Sequence, residues 1–278
     1  MLCALGNTGS IRPGIHYPSD GNLRLAQTVA LYVHTERIAM NKETTIKQVR
    51  AVLEKDPRIN LHRYPIAIAA QNGDLILTGE VESIAAKKLA LLAAADIHGV
   101  QRIVDRLKVT PAQKMGDAEI RDHVCRVLFE EPALERCTIR GLVGNGIPIG
   151  RDTTQPGGSI VVAVSGGVVT LNGEVPSLMH KRLAGVLAWW VPGTRDVVNG
   201  LEEVPAEEDN DDELTDAVRL ALEKDPFVNA VKIRVTTQDW IVTLDGLVPN
   251  ETMKQMAERD AWYVLGVKEV VNRIQVER

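Results

Sequence analysis

Residues 167–175 have the sequence GVVTLNGEV, and this stretch decides the fold because versions of it occur three times. The other two are DLILTGEV at residues 74–81 and WIVTLDGLV at residues 240–248. The central glycine of each copy is followed 20 residues later by a second glycine, giving the pairs Gly79 and Gly99, Gly173 and Gly193, and Gly246 and Gly266. Residues that match at fixed offsets over such distances identify a threefold internal repeat.

Each repeat contains the same succession of local signals. Two apolar residues with i, i+4 spacing precede a proline, as Val124 and Leu128 precede Pro132, and they predict a helix that ends before the proline. Two β-rich runs follow and predict a hairpin. We expect the hairpin turns at residues 72–73, 166–167 and 238–239. A serine or asparagine then caps a second helix, the late glycine ends that helix, and a last strand follows.

This order, α-β-β-α-β, predicts the α+β fold class with three tandem units. The strand-helix-strand part of each unit is long enough for a right-handed crossover. We therefore expect each unit to be a three-stranded mixed sheet with two helices on one face. The central glycines, such as Gly173, are expected where the backbone has a positive φ or approaches a neighbour closely.

The repeats place the domains at residues 44–110, 115–204 and 210–278, after an N-terminal extension at 1–43. Met40 is a candidate for the true start of the chain. Repeat two has a Gly-rich insertion at 141–158, which we interpret as a surface loop, with a binding lid as the alternative. Because each unit has its own core positions, we expect repeats one and two to stay folded when repeat three is removed.

The repeated stretch resembles the core of the BON domain, a module named after bacterial osmotic-stress and nodulation proteins. Residues 167–175 match the core fully, and the other two copies are near versions. Repeats one and three also keep the Asp-Pro and late Gly-Val of the family, where repeat two has Glu131-Pro132 and Gly193-Thr194. The resemblance implies the α-β-β-α-β fold. Its motif residues are scaffold residues in that family, so it implies a binding module and transfers no catalytic site.

Composition limits the partners and the cellular compartment that we expect for the protein. The net charge of −5 argues against nonspecific binding to nucleic acid, which depends on clustered Lys and Arg. The three cysteines, Cys3, Cys125 and Cys137, form no CxxC pair and indicate a reduced compartment. The sequence contains neither a membrane-length apolar run nor a recognisable signal peptide. We therefore expect a cytoplasmic location, although proteins with this module are often periplasmic.

Signals for chemistry are weak throughout the sequence. The histidines lack metal-ligand spacing and occur at His16, His34, His62, His98, His123 and His180. The acidic run at residues 207–213 lacks the alternating ligands and glycine of a calcium loop, so we interpret it as a solvated linker. No serine or cysteine stands in a nucleophile-elbow context. We predict no catalytic residues, no metal and no cofactor, and we expect that the protein is not an enzyme.

Aromatic residues near the end of the second helix mark the candidate ligand or partner face. Trp189 and Trp262 occupy equivalent positions and are expected to pack against the sheet or a neighbouring repeat. Trp190 and Tyr263 follow one helical step later, about 100° round the axis, and are expected to be partly exposed. With two basic residues on helix two of repeat two, the predicted face consists of Lys181, Arg182, Trp189, Trp190, Trp262 and Tyr263.

Two functional hypotheses remain open. The resemblance to BON modules implies a non-catalytic binding protein associated with phospholipid surfaces or the cell envelope and linked to osmotic or general stress. The alternative is an intracellular protein–protein interaction scaffold without a lipid ligand, because short sheets with open edges can pair with a partner strand.

Overall fold

The structure is a computed structural model that describes residues 42–71, 74–142, 148–151 and 157–277. Most of the N-terminal extension, including Met40, lies outside the described residues. So do the turn at residues 72–73 and parts of the insertion, residues 143–147 and 152–156. Residues 45–278 form one compact unit that contains all three repeats.

Repeat one has the expected order of elements. It consists of α1 (42–53), β1 (Ala67–Gln71), β2 (Asp74–Val81), α2 (Ile84–Ala95) and β3 (Arg102–Val109). Strand β2 pairs antiparallel with β1 and parallel with β3, as a hairpin followed by a crossover requires. The side chain of Ser83 caps α2 by accepting a hydrogen bond from the Ala86 N–H at 3.2 Å.

Repeat two has a larger sheet than the sequence predicts. Its elements are α3 (Asp117–Glu130), β4 (Cys137–Leu142), β5 (Pro148–Arg151), β6 (Gly158–Ser165), β7 (Val168–Val175), α4 (Leu178–Trp190) and β8 (Asp196–Glu203). Strand β4 pairs parallel with β6, and β5 pairs antiparallel with β4, so the sheet has five strands. The described parts of the insertion therefore contribute to the sheet, and the interpretation of 141–158 as a plain surface loop is wrong there.

Repeat three has the basic architecture with a divided last strand. It consists of α5 (Asp211–Lys224), β9 (Ile233–Gln238), β10 (Ile241–Val248), α6 (Glu251–Tyr263), β11 (Glu269–Asn272) and β12 (Gln275–Val276). Strand β10 is antiparallel to β9 and parallel to β11 and β12. The hairpin turn lies at Asp239 and Trp240, both with positive φ, one residue later than the sequence analysis placed it.

The first helix of repeats two and three holds the hairpin of its own unit. The carboxylate of Asp117 accepts hydrogen bonds from the Gly166 and Gly167 N–H groups, both at 2.8 Å. In the same way, the carboxylate of Asp211 accepts from the turn amides of repeat three. These amide donors hold the pKa of Asp117 below its ordinary value, because they favour the ionised carboxylate.

The central glycines have the role that the repeat predicts. Gly173 has a φ of +126°, and a Cβ there would lie 2.1 Å from the Ser159 carbonyl oxygen. At Gly246 a Cβ would lie 2.2 Å from the Lys232 carbonyl oxygen. Side chains at these positions would therefore separate the two strands of the hairpin. Gly193 differs from the other late glycines because close packing against Met115, and not a positive φ, excludes a side chain.

The hydrophobic cores are distributed unequally among the repeats. One cluster of buried side chains combines repeats one and three and takes in Val186 of repeat two. A second cluster consists of repeat two residues. Helices α2 and α6 pack against each other, and α4 packs against α5 and α6. The cores of repeats one and three are therefore continuous. Whether repeats one and two stay folded without repeat three stays a prediction.

Candidate functional site: a cleft among the three repeats

Two basic side chains at equivalent repeat positions join the units around the end of α6. The Lys88 ammonium of repeat one donates to the carbonyl oxygens of Trp262, Val264 and Val267 at 2.7, 3.0 and 3.3 Å. Arg182 of repeat two donates from Nε to the Leu265 carbonyl oxygen at 3.0 Å. Carbonyl groups at a helix C-terminus lack helical partners and carry partial negative charge, so both cations stabilise this end of α6.

Burial changes the pKa of Lys88, the first of these two basic residues. Burial of the Lys88 ammonium group lowers its pKa to about 7, because the low-dielectric interior disfavours the charged form. Arg182 is 2% exposed and also pairs with the Asp209 carboxylate at 2.7 Å. The neighbouring Lys181 pairs with Glu203 at 3.0 Å. The basic residues of α4 are therefore engaged inside the protein.

Aromatic side chains from repeats two and three meet beside this junction. The rings of Trp189 and Tyr263 stack with centroids 5.5 Å apart and an interplanar angle of 11°. Trp190 reaches from α4 to α6, where its Nε1–H donates to Oδ1 of Asp260 at 3.0 Å. Burial raises the pKa of Tyr263. Trp189, Trp190 and Tyr263 thus belong to the contact between repeats two and three.

A pair of carboxyl groups lies below these aromatic rings. Asp260 on α6 is 1% exposed, and the carboxyl of Asp225, at the end of α5, lies within hydrogen-bonding reach of it. Burial, reinforced by Asp225, raises the pKa of Asp260 to about 8. Oδ1 of Asp225 also accepts the Phe227 N–H at 2.8 Å. With its pKa raised to about 8, the Asp260 carboxyl carries a proton at neutral pH.

These groups line a cleft to which all three repeats contribute. The cleft has a volume of about 490 Å³, within the range of about 300–1,000 Å³ that is typical of small-molecule sites. Its residues include Glu82 from repeat one, Trp189 and Trp190 from repeat two, and Phe227 and Tyr263 from repeat three. Because no repeat encloses the cleft alone, it exists only in the assembled chain.

The structure brings together three of the six residues predicted for a ligand face. Trp189, Trp190 and Tyr263 are half-buried and line the cleft. Trp262 is 1% exposed and packs in the core, as expected for its position, so it is not part of a surface. Arg182 is buried in its ion pair, which corrects the expectation that it supplies surface charge. Lys181 is partly buried in its pair with Glu203 and does not line the cleft.

Sequence reasoning missed the carboxyl pair and Phe227. Asp225 belongs to the Asp-Pro that follows the first helix of repeat three, and in the sequence this dipeptide indicates only the end of a helix. Asp260 precedes the shared alanine position Ala261, and repeat two has Leu187 in its place. An acid in a helix stripe that is otherwise apolar was the available signal. Its meaning depends on a partner from another helix, which repeat alignment does not reveal.

Two cysteines and one serine in the described residues have buried or capping positions. Burial raises the pKa of Cys125 to about 11 and also raises that of Cys137, so both thiols are poor nucleophiles at neutral pH. Ser177 Oγ lies 2.6 Å from Nδ1 of His180, but this serine caps α4. Within the described residues no group of three or more His, Cys, Asp or Glu side chains has an arrangement suited to a metal ion. None of the described helices is long and apolar enough to cross a membrane.

Three small α/β units packed around a composite cleft define a protein of the repeated binding-module class. The family model of the BON domain matches residues 41–111, 149–205 and 210–278, which together make up more than half of the chain. The chain therefore belongs to the BON-domain family, a family of binding modules. The comparison with curated proteins found no match.

Solved structures with some similarity come from a secretion system. The C-terminal domain of CdsD, the structural protein of the type III secretion system of Chlamydia trachomatis, is 14% identical, with 84% of this chain and 97% of that chain covered and a TM-score of 0.23. Another CdsD structure is 14% identical over 84% of this chain and 91% of that chain, with a TM-score of 0.22. Similarity at this level carries no argument about the present chain.

Proposed function

We propose that this protein is a non-catalytic binding protein in which three BON units act as one body and bind a ligand in the cleft among them. The observation that carries the proposal is the composite lining, with Glu82, Trp190 and Tyr263 each from a different repeat. Aromatic groups around a concave site supply large contact areas at a small entropic cost. The absence of catalysis is part of the proposal, and the high pKa of Cys125 supports it.

Association with acidic phospholipid surfaces or the cell envelope, and a role in osmotic or general stress, receive less support from the site. Affinity for acidic lipids depends on free Lys and Arg near the surface. In helix α4 these cations pair with carboxylates, Lys181 with Glu203 and Arg182 with Asp209. We therefore favour a cytoplasmic protein that binds through its cleft, and sedimentation with anionic and neutral vesicles at low salt tests this preference. We expect the protein in the supernatant with both, and co-sedimentation would favour the lipid-associated function.

The cleft itself is tested by mapping neutral aromatic fragments, such as benzyl alcohol and indole, onto the full chain by NMR. We expect the largest shift changes at the indole N–H signals of Trp189 and Trp190. Phe227→Ala removes a side chain that is 68% exposed at the cleft, so it should weaken these fragments several-fold without unfolding the protein. Val231→Ala is the matched control, because Val231 is 97% exposed and does not line the cleft. Shift changes spread over all three repeats, or equal effects of the two variants, would contradict the proposal.

A further inference from the structure

The walls of the cleft are suited to an organic cation. Trp189 and Tyr263 present stacked rings, and Phe227 is exposed beside them. The face of an aromatic ring carries partial negative charge and attracts a cation placed over it. A neutral or cationic ligand with an apolar body is therefore favoured over an anionic one at these walls.

The carboxyl groups of the cleft contain an acceptor atom without a donor. Oδ1 of Asp260 accepts the Trp190 N–H at 3.0 Å, while Oδ2 is buried and receives no hydrogen bond from any donor among the described residues. The carboxyl of Asp225 lies beside it and, when ionised, is also an acceptor. The unpartnered oxygen of Asp260 can therefore accept a hydrogen bond from a donor that enters the cleft, such as an N–H group of a ligand.

The remaining charges around the cleft leave it acidic. Glu82 contributes a carboxylate from repeat one, and Arg259 contributes the lining guanidinium from α6. Arg259 is exposed and acts on Asp260 only through space, where it lowers the pKa and opposes the larger effects of burial and Asp225. The phenol of Tyr263, whose pKa is raised by burial, is neutral in the physiological range. The carboxyl groups therefore outnumber the basic group at the site.

We propose that the cleft binds a small organic ammonium ion with an aromatic or alkyl body, whose N–H group donates to the unpartnered Oδ2 of Asp260 beside Asp225. This inference rests on the proposed function of the cleft. The apolar body lies against Trp189, Tyr263 and Phe227. Binding releases one proton to solvent for each ammonium ion that enters with the pair protonated, so charge is conserved at the site.

Proton release makes the affinity depend on pH. Because burial and Asp225 raise the pKa of Asp260 to about 8, the proton on Asp260 competes with the ligand below that pH. Glu82 and Arg259 are the other charged groups that line the cleft, and burial raises the pKa of Tyr263, so its phenol stays neutral in this range. Affinity for an amine that stays protonated should therefore rise as the pH is raised from 6 to 8, by up to about tenfold per pH unit.

Calorimetric titration of the full chain with three matched probes tests the charge preference. The probes are benzylamine as the ammonium ion, benzyl alcohol as the neutral analogue and benzoate as the anion. At pH 7.5 we expect benzylamine to bind at least tenfold more tightly than benzyl alcohol, and benzoate more weakly than either. Equal affinities for benzylamine and benzyl alcohol would overturn the inference and leave the proposed function standing. If neither benzylamine nor benzyl alcohol shifted the NMR signals of the cleft residues, both this inference and the proposed function would fail.

Two isosteric variants locate the effect at the carboxyl pair. Asp260→Asn keeps an oxygen for the Trp190 N–H, and Asp225→Asn keeps one for the Phe227 N–H. Each should abolish the tenfold preference for benzylamine and its proton release, measured in buffers of different ionisation enthalpy. Asp216→Asn is the matched control, since this carboxylate is exposed on α5 and outside the cleft. A preference retained by both cleft variants, or lost equally in the control, would overturn the assignment.

The same ammonium chemistry occurs on aminophospholipids, and a vesicle experiment distinguishes the two sources. Because Asp260 lines the cleft and is 1% exposed, we expect a free amine to reach it and a headgroup anchored in a bilayer not to reach it. Phosphatidylethanolamine vesicles should therefore leave the protein in the supernatant. Sedimentation that benzylamine reverses would support the ammonium site with a lipid headgroup as its source. Sedimentation that benzylamine does not reverse would contradict our assignment of a free amine as the source of the ammonium group.

Discussion

Repeat two and the pair formed by repeats one and three use the same sequence motif in different ways. Repeat two has the most complete motif, an enlarged sheet and a core cluster of its own. Repeats one and three have near versions of the motif and share one continuous core. This difference indicates that the motif specifies the fold of each unit, whereas residues on the outer face of helix two determine which other unit that helix packs against.

Helix two shows this most clearly at one repeat position. Lys88 and Arg182 are equivalent residues, and both donate to carbonyl oxygens at the end of α6. Repeat three has Gln255 at this position and supplies the acceptors instead. Equivalent basic residues thus join repeats one and two to repeat three, while repeats one and two also contact each other through the Lys87–Asp196 pair at 2.7 Å.

Valine at the central glycine should have the largest effect and should separate the two regions. At Gly173 and at Gly246 a Cβ would lie 2.1 and 2.2 Å from a carbonyl oxygen, so each substitution should cost more than about 4 kcal/mol. Gly173→Val should disrupt the core of repeat two, whereas Gly246→Val should disrupt repeats one and three together. Thermal melting with NMR assignment of the affected units measures both results.

A matched control for these substitutions is Gly99→Ala. Gly99 has a φ of +93° but no atom within 4 Å of the added Cβ, so the cost should be about 1 kcal/mol. If Gly173→Val melted within about 2 °C of the unsubstituted protein, close approach of the strands would not be required there.

Trp262→Ala and Trp189→Ala compare equivalent tryptophans in the two regions. Trp262 is 1% exposed in the shared core, so its loss should cost about 3–5 kcal/mol. Trp189 is half-buried and stacks on Tyr263, so its loss should cost about 1–2 kcal/mol. Urea unfolding gives both values, and equal costs would show that the two positions are packed alike.

Two neighbouring cations on α4 provide the next comparison. Arg182→Ala should cost about 2–3 kcal/mol, because the guanidinium is buried and joins Leu265 to Asp209. Lys181→Ala should cost less than about 1 kcal/mol, because its pair with Glu203 is partly solvated. Chemical denaturation distinguishes them. A larger loss for Lys181→Ala would mean that Arg182 does not hold repeat two to repeat three.

The smallest effect concerns the pH dependence of stability at the cleft. Folding raises the pKa of Asp260 from 3.8 to about 8, so the folded chain binds more protons than the unfolded chain between these values. The free energy of unfolding should therefore fall as the pH rises from 5 to 7, below the window in which Lys88 titrates. Asp260→Asn should make this slope shallower by about 1 kcal/mol per pH unit. The same slope in both proteins would show that Asp260 is ionised throughout.

Much of the fold could be predicted because its signals are local. Ser83 and Gly173 mark a helix start and a hairpin contact, and each follows from the conformation that its residue type favours. The late glycine was wrongly expected to end the second helix, since α2 ends at Ala95 and Gly99 lies in the turn that follows. Strands β4 and β5 escaped prediction because an insertion has no counterpart in the other repeats. The turn lies at Asp239 and Trp240, whose N–H groups donate to the Asp211 carboxylate, a contact from outside the hairpin sequence.

The candidate site was predictable only in part. Trp190 and Tyr263 were found because aromatic doublets one helical step apart cannot both face the core of their own unit. The role of Arg182 was misjudged, since its partners Asp209 and Leu265 belong to the linker and to repeat three. Contacts between units depend on how the units are placed relative to one another. A comparison of equivalent repeat positions does not give this placement.

Native-state hydrogen exchange of the unsubstituted protein across a urea series tests the central claim most directly. Amides that open together belong to one cooperative unit and share a free energy of opening. The account predicts that protected amides of β2 in repeat one and β10 in repeat three converge on one opening reaction, and that those of β7 in repeat two follow a different one. Three independent opening reactions, or β2 opening together with β7 and apart from β10, would contradict a core shared by repeats one and three.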